Sequence, residues 1–433
     1  MATLGIDYGS SNTTVSWINP RHGKPETIKF NGDGSVKYPS VILGYEKGLV
    51  SGYQALNFLV EVDKLPQEER IEMLANFIPS LKRVLDPNGV EFIGDKEYTH
   101  MQLLQFFFEQ IKQMANAHCG SDVVFDSVIV SHPVDCEEAT VRMLKDALLA
   151  SGFNNVKTQL EPIAAVMGYG IDHDIPEEQG VLVFDFGGGT IDVAYVKKHL
   201  DSFRIICEPK GDKTCGGQDI DMLLYENLRK KFIAEFDMDI SIGNMVDVGM
   251  LNSCRRLKEY FSDSNDVHET SIVFVKDGKI NTFKYKLNRE SFNNIIYPKV
   301  TDAINVAKAV IKQAETKKLK IDKVLLIGGS SRLSLVRQIL TEILPEATVD
   351  TCGEMDIAVA LGNIVEEVIK SEAKESNANS NGQDIPNCKI NRNKSILCPA
   401  CGSNECYHHS DKFGYLCLSC GYDGPNVKVT IIR

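Results

Sequence analysis

The chain builds one small construction twice, and that repetition constrains its architecture more than any other feature. Residues 181–193 read Val-Leu-Val-Phe-Asp-Phe-Gly-Gly-Gly-Thr-Ile-Asp-Val. Val181 to Phe184 are a short apolar run of the kind that forms a buried strand, and Asp185 ends it. Gly187, Gly188 and Gly189 follow as a turn in which no Cβ keeps the backbone from a ligand. Thr190 and Asp192 lead into a second apolar run, so the unit predicts a β-hairpin. Residues 3–17 repeat the plan with an apolar strand, Asp7, a tight turn through Gly9, Ser10 and Ser11, and a second strand toward Trp17. Self-similarity of this kind marks a duplicated fold, so two similar α/β domains are expected to face each other.

The residue types in the two turns define a chemistry. Backbone N–H groups that point into a glycine turn bind an anion, and a carboxylate at the end of a strand holds a cation or its waters. Together they suit a nucleotide phosphate carrying magnesium. A third stretch, Lys323-Val-Leu-Leu-Ile-Gly-Gly-Ser-Ser-Arg332, predicts a strand, a Gly328-Gly329 turn and an amphipathic helix from Leu333. Glycine at such a corner lets a flat ring or a phosphate lie against the backbone.

These three motifs resemble the two phosphate motifs and the adenosine motif of the actin, sugar-kinase and chaperone ATPase superfamily. In detail they resemble the nucleotide-binding domain of the heat shock protein 70 family. Phe77-Ile-Pro-Ser-Leu-Lys-Arg83, Leu160-Glu-Pro-Ile-Ala-Ala165 and Cys215-Gly-Gly-Gln-Asp-Ile-Asp221 agree in order and spacing, and the resemblance runs from residue 1 to about 370. It implies a duplicated actin-like ATPase fold with ribonuclease H-like domains, two lobes and four subdomains. Lobe I would span 1–172, with a small subdomain at about 38–100, and lobe II 173–370, with one at about 213–290.

The resemblance also implies ATP or ADP and Mg2+ as cofactors, with K+ as a further candidate, and ATP hydrolysis driving a chaperone-like conformational cycle. Asp7 and Asp185 would hold waters of magnesium. Gly9, Ser10, Ser11, Asn12, Gly187, Gly188, Gly189 and Thr190 would cradle the phosphates. Lys82 would neutralise the transferring phosphoryl group, while Glu161 or Asp192 would orient water. Lys258, Ser262, Gly217, Gly328, Gly329, Ser330, Arg332 and Asp356 would surround the adenosine. Read without the resemblance, Lys82-Arg83 is a surface basic pair, and Glu161 beside Pro162 is a carboxylate favouring a helix N-terminus.

One departure stands out. Where the family has an acidic residue and, four positions later, an arginine that stacks on the base, this chain has Arg255 and Glu259. Residues four apart share a helix face, so Arg255 could supply the stacking contact from one turn earlier. The exchange could equally alter nucleotide preference.

Periodicity predicts helices over 68–77, 81–85, 101–114, 138–151, 250–261 and 357–369, a long helix within 213–236, and a hairpin over 267–287 turning at Asp277-Gly278. Phe106, Phe107 and Phe108 read as a core face.

The net charge of −12 argues against general nucleic-acid binding, since phosphate backbones select basic faces. Residues 371–433 carry 7 Lys plus Arg and 6 Asp plus Glu, so the acidity belongs to the first 370 residues. No run of eighteen apolar residues occurs and the start reads directly into a strand, so neither a membrane role nor an export signal is expected and the cytoplasm is the expected compartment. The twelve cysteines are then expected to be thiols and metal ligands.

Residues 371–394 read as a flexible linker in the place where chaperones of the family carry a coupling linker and a peptide-binding domain. Cys398, Cys401, Cys417 and Cys420, with fifteen residues between the pairs, have the spacing of a zinc ribbon over 395–433. Structural Zn2+ would supply the folding energy of so short a segment. Cys406, His408 and His409 lie inside the loop as alternative ligands, and Cys388 reads as a free thiol. The ribbon is expected to dock a protein partner or client. A small-metabolite kinase, a filament-forming ATPase and a non-hydrolysing ATP sensor or adaptor are the other classes the same core serves.

Overall fold

The computed structural model describes residues 2–365 apart from 31–33, 46–47, 61–64, 121–122, 200–201, 240–247, 263–265, 277–278 and 352–356, together with the C-terminal strands named below. Contacts divide the chain into two units, Met1–Glu367 and Val368–Arg433.

In the first unit the two hairpins nucleate two six-stranded sheets of the same plan. Ala2–Tyr8 pairs antiparallel with Asn12–Asn19 and parallel with Phe125–His132; Asn155–Leu160 and Lys24–Thr27 extend the sheet on either side. Gly180–Phe186 pairs antiparallel with Ile191–His199 and parallel with Lys323–Ile327, and Thr348–Thr351 and Ser202–Ile205 extend it likewise. Even the sixth strands correspond. Lys37–Pro39 joins the second strand of one sheet and Lys210–Asp212 the second strand of the other. The repeated hairpin is therefore the visible part of a repeated sheet.

Helices cover the faces of these mixed sheets, which explains the near-continuous apolar runs. Leu4, Ile6, Leu182 and Phe184 have no exposed surface. Against the first sheet lies His100–Cys119, started by a capping box in which Thr99 and Gln102 bond each other's backbone N–H. Phe107 and Phe108 are fully buried beside Tyr8 and Tyr38, while Phe106 packs at the core's margin. The second core centres on Gly217–Phe236 and Arg289–Thr316.

Several boundaries move from the periodicity reading. The helix expected over 68–77 is Gln67–Ala75, because Phe77 and Ile78 pair with Leu43 and Ile42 as a strand. The helix after Gly329 starts at Ser334, since Gly329–Arg332 forms a tighter 3-10 turn. The hairpin is Val267–Lys276 with Lys279–Asn288; its turn lies outside the described residues, as does 366–369 of the closing helix.

The helix Glu161–Tyr169 follows the last strand of the first sheet but packs on the second, with Ile163 and Ala164 against Val183 and Ala194. Residues 358–365, also helical, bind the first sheet through Ser16 Oγ to Ala360 O at 2.5 Å and Asn363 Nδ2 to Ile6 O at 2.9 Å. The two helices cross at glycines. A Cβ on Gly168 would lie 1.9 Å from Ala358 O, and one on Gly362 would lie 1.8 Å from Ala164 O.

In the second unit, Asn387–Asn391 pairs with Ser395–Ile396 and Lys428–Ile431, and Cys406–His408 pairs with Tyr415–Cys417, which pairs in turn with Asp423–Gly424.

Overpacking a close crossing costs about 1–3 kcal/mol. Gly168→Val is therefore expected to lower the urea midpoint by that equivalent, whereas Gly187→Ala, where the nearest atom is 3.6 Å from the new Cβ, should shift it far less. Equal midpoints for the two variants would exclude the crossing as a constraint.

Candidate active site

The ends of the two hairpins and the N-terminus of one helix bring acidic side chains together. Asp185 and Asp192 are cross-strand partners in the second hairpin, and Asp7 ends the first strand of the first. Glu161, 6% exposed, opens the helix whose Pro162 sits in the first turn. Its carboxylate accepts from Lys82 Nζ at 2.8 Å; Glu161 is buried and Lys82 partly so. A cavity beside this pair is lined by Asp135, Glu161, Asp185, Asp192 and Gly211.

The charges in this volume do not balance. Burial pushes Asp185 well above its ordinary range, with Glu161, Asp192 and Asp7 adding to the shift and Lys82 opposing it. Asp192 is pushed up to about 7 by burial, then by Glu161 and Asp135, against Lys82 and the Thr190 hydroxyl. Burial works against the Lys82 ammonium, yet Glu161, Asp7 and Asp192 outweigh it and leave the group above its ordinary value. Carboxylates gathered round a shared cavity are hard oxygen donors, of the kind that would hold the waters of Mg2+ rather than the bare ion.

The glycine turn beside them is hemmed in from several sides. Gly187 N–H donates to Thr190 O at 2.9 Å, and Thr190 Oγ1 donates to Asp192 Oδ2 at 3.0 Å. Gly217 and Gln218 N–H donate to Gly187 O and Gly188 O at 3.0 and 2.8 Å, and Ser330 Oγ donates to Gly187 O at 2.8 Å. The first hairpin closes from the opposite side, since a Cβ on Gly188 would lie 2.0 Å from Ser11 Oγ and one on Gly189 2.6 Å from Ser10 Oγ. The structure thus brings Ser10, Ser11, Gly187, Gly188, Gly189 and Thr190 into one junction. Gly9 packs on Asn12 O, 2.4 Å from its would-be Cβ.

A second corner forms next to it. Gly328 has φ +79°, a region that favours glycine, and a Cβ there would lie 2.6 Å from Asp185 Oδ1. A Cβ on Gly217 would lie 2.5 Å from Ser330 Oγ and 2.9 Å from Lys258 Nζ. Lys258 Nζ donates to Gly217 O at 2.7 Å and pairs with Asp221 at 2.8 Å. Burial dominates that pair, lowering the Lys258 pKa and raising that of Asp221. Ser262 Oγ donates to Lys258 O at 3.0 Å, within its own helix. Gly329 is open, with nothing within 4 Å of a Cβ built there, and Arg332 ends the short 3-10 turn. Arg255 and Glu259 pair at 3.3 Å on an exposed face. Asp356 lies outside the described residues.

Two groups at the cleft escaped the sequence reading of roles. Arg83, taken with Lys82 as one basic pair, donates to Gln218 Oε1 at 2.9 Å and to Lys213 O at 3.3 Å, tying the turn before the second long helix to the edge of the first lobe. Asp135 follows the Pro133 that ends its strand, and no spacing marks it.

Of the four candidate zinc cysteines, Cys398, Cys401 and Cys420 lie outside the described residues, and Cys417 is described as the end of a strand. Among the described residues one group has metal-ligand geometry, the exposed Glu177, Glu178 and His199. Lys197 already pairs with Glu178 at 2.6 Å, and the group lends no support to zinc. Cys119, Cys136, Cys207, Cys215 and Cys254 are free thiols. No described helix is long and apolar enough to cross a membrane.

A protein-family model described as Hsp70 protein matches residues 68–379. The chain is 27% identical over 343 residues to the chaperone protein DnaK of Ureaplasma parvum, a stretch covering 78% of this chain and 54% of that protein. It is 25% identical over 371 residues to DnaK of Thermotoga neapolitana, covering 84% of this chain and 59% of the relative. The chain therefore spans little more than half the length of the curated relatives it matches.

The raised Asp192 has a consequence for stability. A carboxyl whose pKa climbs from 3.8 to about 7 on folding gives stability that is full below 3.8 and lost as pH rises through about 7. In the nucleotide-free protein, Asp192→Asn should therefore match wild type in urea denaturation near the acid end and exceed it progressively toward neutral pH. A midpoint difference that does not change with pH would contradict the burial and charge argument.

Proposed function

Since the chain belongs to the Hsp70 family, we propose that residues 1–370 bind ATP with Mg2+ in the cleft between the two sheet-containing lobes and hydrolyse it. The observation that carries this reading is the convergence of Asp7, Glu161, Asp185 and Asp192 on Lys82 beside the Gly187–Gly189 turn, with Glu161 buried and the others partly so. A magnesium ion held there would supply charge neutralisation for the phosphates. Asp7 and Asp185 are the carboxylates set to hold its waters, with K+ as a further candidate at the same acidic surface.

The backbone of Gly9 to Asn12 and of Gly187 to Thr190 would receive the phosphates. Lys82 would stabilise charge on the transferring group, and Glu161, fixed by Lys82, would orient the attacking water together with Asp192. Phosphoryl transfer of this kind needs positioning and electrostatics and no covalent protein intermediate. Gly217, Lys258, Ser262, Gly328, Gly329, Ser330, Arg332 and Asp356 would surround the adenosine. The lobe and subdomain limits implied by the resemblance belong to this same reading.

Residues 395–433 would be a zinc ribbon that docks a protein partner or client. Its support is the spacing of Cys398, Cys401, Cys417 and Cys420 and the antiparallel pairing of Cys406–His408 with Tyr415–Cys417 between the two Cys pairs. Four thiolates in two C-x-x-C pairs are the donor set of a closed structural zinc site. In this reading nucleotide state in the cleft is coupled to a partner held by the tail, in the cytoplasm.

Lys82→Ala and Asp185→Asn should each lower phosphate release by at least about a hundredfold, the scale of losing one preorganised charge at a transition state, with an unchanged circular dichroism spectrum. Wild-type-like turnover by either variant removes the assignment. Tight ATP binding by wild type without phosphate release would instead establish a non-hydrolysing sensor, and label transfer to a metabolite would establish a kinase. For the tail, the full chain should contain about one zinc per molecule, and Cys398→Ser should lose it; a metal-free wild type ends the ribbon reading.

A further inference from the structure

The C-terminal unit sets a pair of thiols in register that the spacing of the two Cys pairs does not use. Across the antiparallel strands, Cys406 lies opposite Cys417, Tyr407 opposite Leu416 and His408 opposite Tyr415. Residues directly opposite in an antiparallel pair share a face of the sheet, with Cα atoms about 4.5–5.5 Å apart. A disulfide spans Cα separations of about 4.4–6.8 Å, so the register alone admits a bond between positions 406 and 417. Cys406 is also the cysteine of this hairpin that belongs to neither C-x-x-C pair. A metal held by those pairs would leave Cys406 outside its ligand set, at the register position opposite Cys417.

We propose that Cys406 and Cys417 are an oxidisable cross-strand dithiol, closed to a disulfide by hydrogen peroxide. Peroxide oxidises one sulfur to the sulfenic acid as its O–O bond breaks and the first water leaves. The opposing thiol then attacks that sulfur, the S–S bond forms, and the hydroxyl departs with the thiol proton as a second water. Two thiols lose two electrons and one peroxide gains them. Where Cys417 is bound to zinc, as the ribbon reading has it, solvent supplies the missing proton and the metal loses one of its ligands. Closed zinc sites require all four ligands, so the oxidised hairpin would release the ion. The dithiol itself rests on the register; the release of metal rests in addition on the ribbon reading.

The test uses the full chain, purified without oxidant, exposed to hydrogen peroxide, blocked with N-ethylmaleimide and cut after Lys and Glu. Those cuts place Cys406 alone in residues 406–412 and Cys417 in residues 413–428. Peroxide is expected to cause loss of the alkylated 406–412 peptide and the appearance of a species linking it to 413–428 through Cys417, reversed by dithiothreitol. Cys406→Ser should keep the wild-type zinc content and yield no such species. Persistence of alkylated 406–412 while other thiols react, or linkage of Cys406 to a different cysteine, overturns the proposal. Zinc measured in parallel with a chromogenic chelator separates the two readings. Linkage in a protein that never held zinc sustains the dithiol and removes the ribbon. Zinc retained while Cys406 stays alkylated sustains the ribbon and removes the dithiol.

Discussion

A surplus of partly buried negative charge is the constraint on the cleft of the first unit. Asp7, Glu161, Asp185 and Asp192 influence one another through a water-poor volume in which Lys82 is the opposing cation. Left alone, such a cluster is destabilising, because taking carboxylates out of water costs more than a single ammonium returns. A ligand that binds the folded state and not the unfolded chain offsets that cost by mass action. A cation bound at this cluster would offset that cost, and without one burial raises the pKa of Asp185 and Asp192. The pair Lys82–Glu161 alone would need neither Asp185 nor Asp192 beside it.

The same region shows how a glycine turn is held in place by its neighbours, the N-terminus of the helix Gly217–Phe236 among them. Three consecutive glycines receive a serine hydroxyl from one side, two backbone amides from another and the opposing hairpin from a third. At Gly188 and Gly189 the opposing hairpin comes closer than a Cβ would allow, so there the residues contribute mainly the absence of a side chain. Duplication makes this possible. Two copies of one sheet, joined where Gly168 and Gly362 let helices nearly touch, carry their hairpins to a shared edge.

What could be read from the residues followed from local pattern, and what could not came from distance along the chain. The hairpins, the strand before Gly328 and the Pro162 helix start announce themselves within a dozen residues, and the same residues recur at the cleft. The early end of the helix at Ala75 was hidden because Phe77 and Ile78 fit an apolar helical period as well as a strand; the edge offered by Leu43 and Ile42 decides it. Arg83 and Asp135 were illegible as site residues for a similar reason. Gln218 lies far along the chain from Arg83, and the carboxylates near Asp135 come from a helix start and two other strands. Lys82 required the family resemblance, since a Lys-Arg pair by itself looks like solvated surface. The Cys406–Cys417 register was equally invisible to spacing, because pairing across a hairpin depends on where its turn falls.

The exchanged charges at Arg255 and Glu259 can be weighed against the frame they adjoin. Lys258 sits between them on the helix, yet its ammonium is directed to Gly217 O and Asp221, buried and committed to holding a glycine corner in place. Removing it would leave Asp221 as an unpaired buried charge, a loss of several kcal/mol in comparable pairs. Arg255 and Glu259 are respectively 43% and 61% exposed and pair with each other across one helical turn. Exposed pairs of that geometry contribute a few tenths of a kcal/mol. The helix therefore keeps the buried half of its task independently of the exposed half. Gly217, Lys258 and Ser330 define the corner whatever occupies the surface, so the departure from the family pattern bears on what lies over that face and leaves the architecture of the cleft untouched.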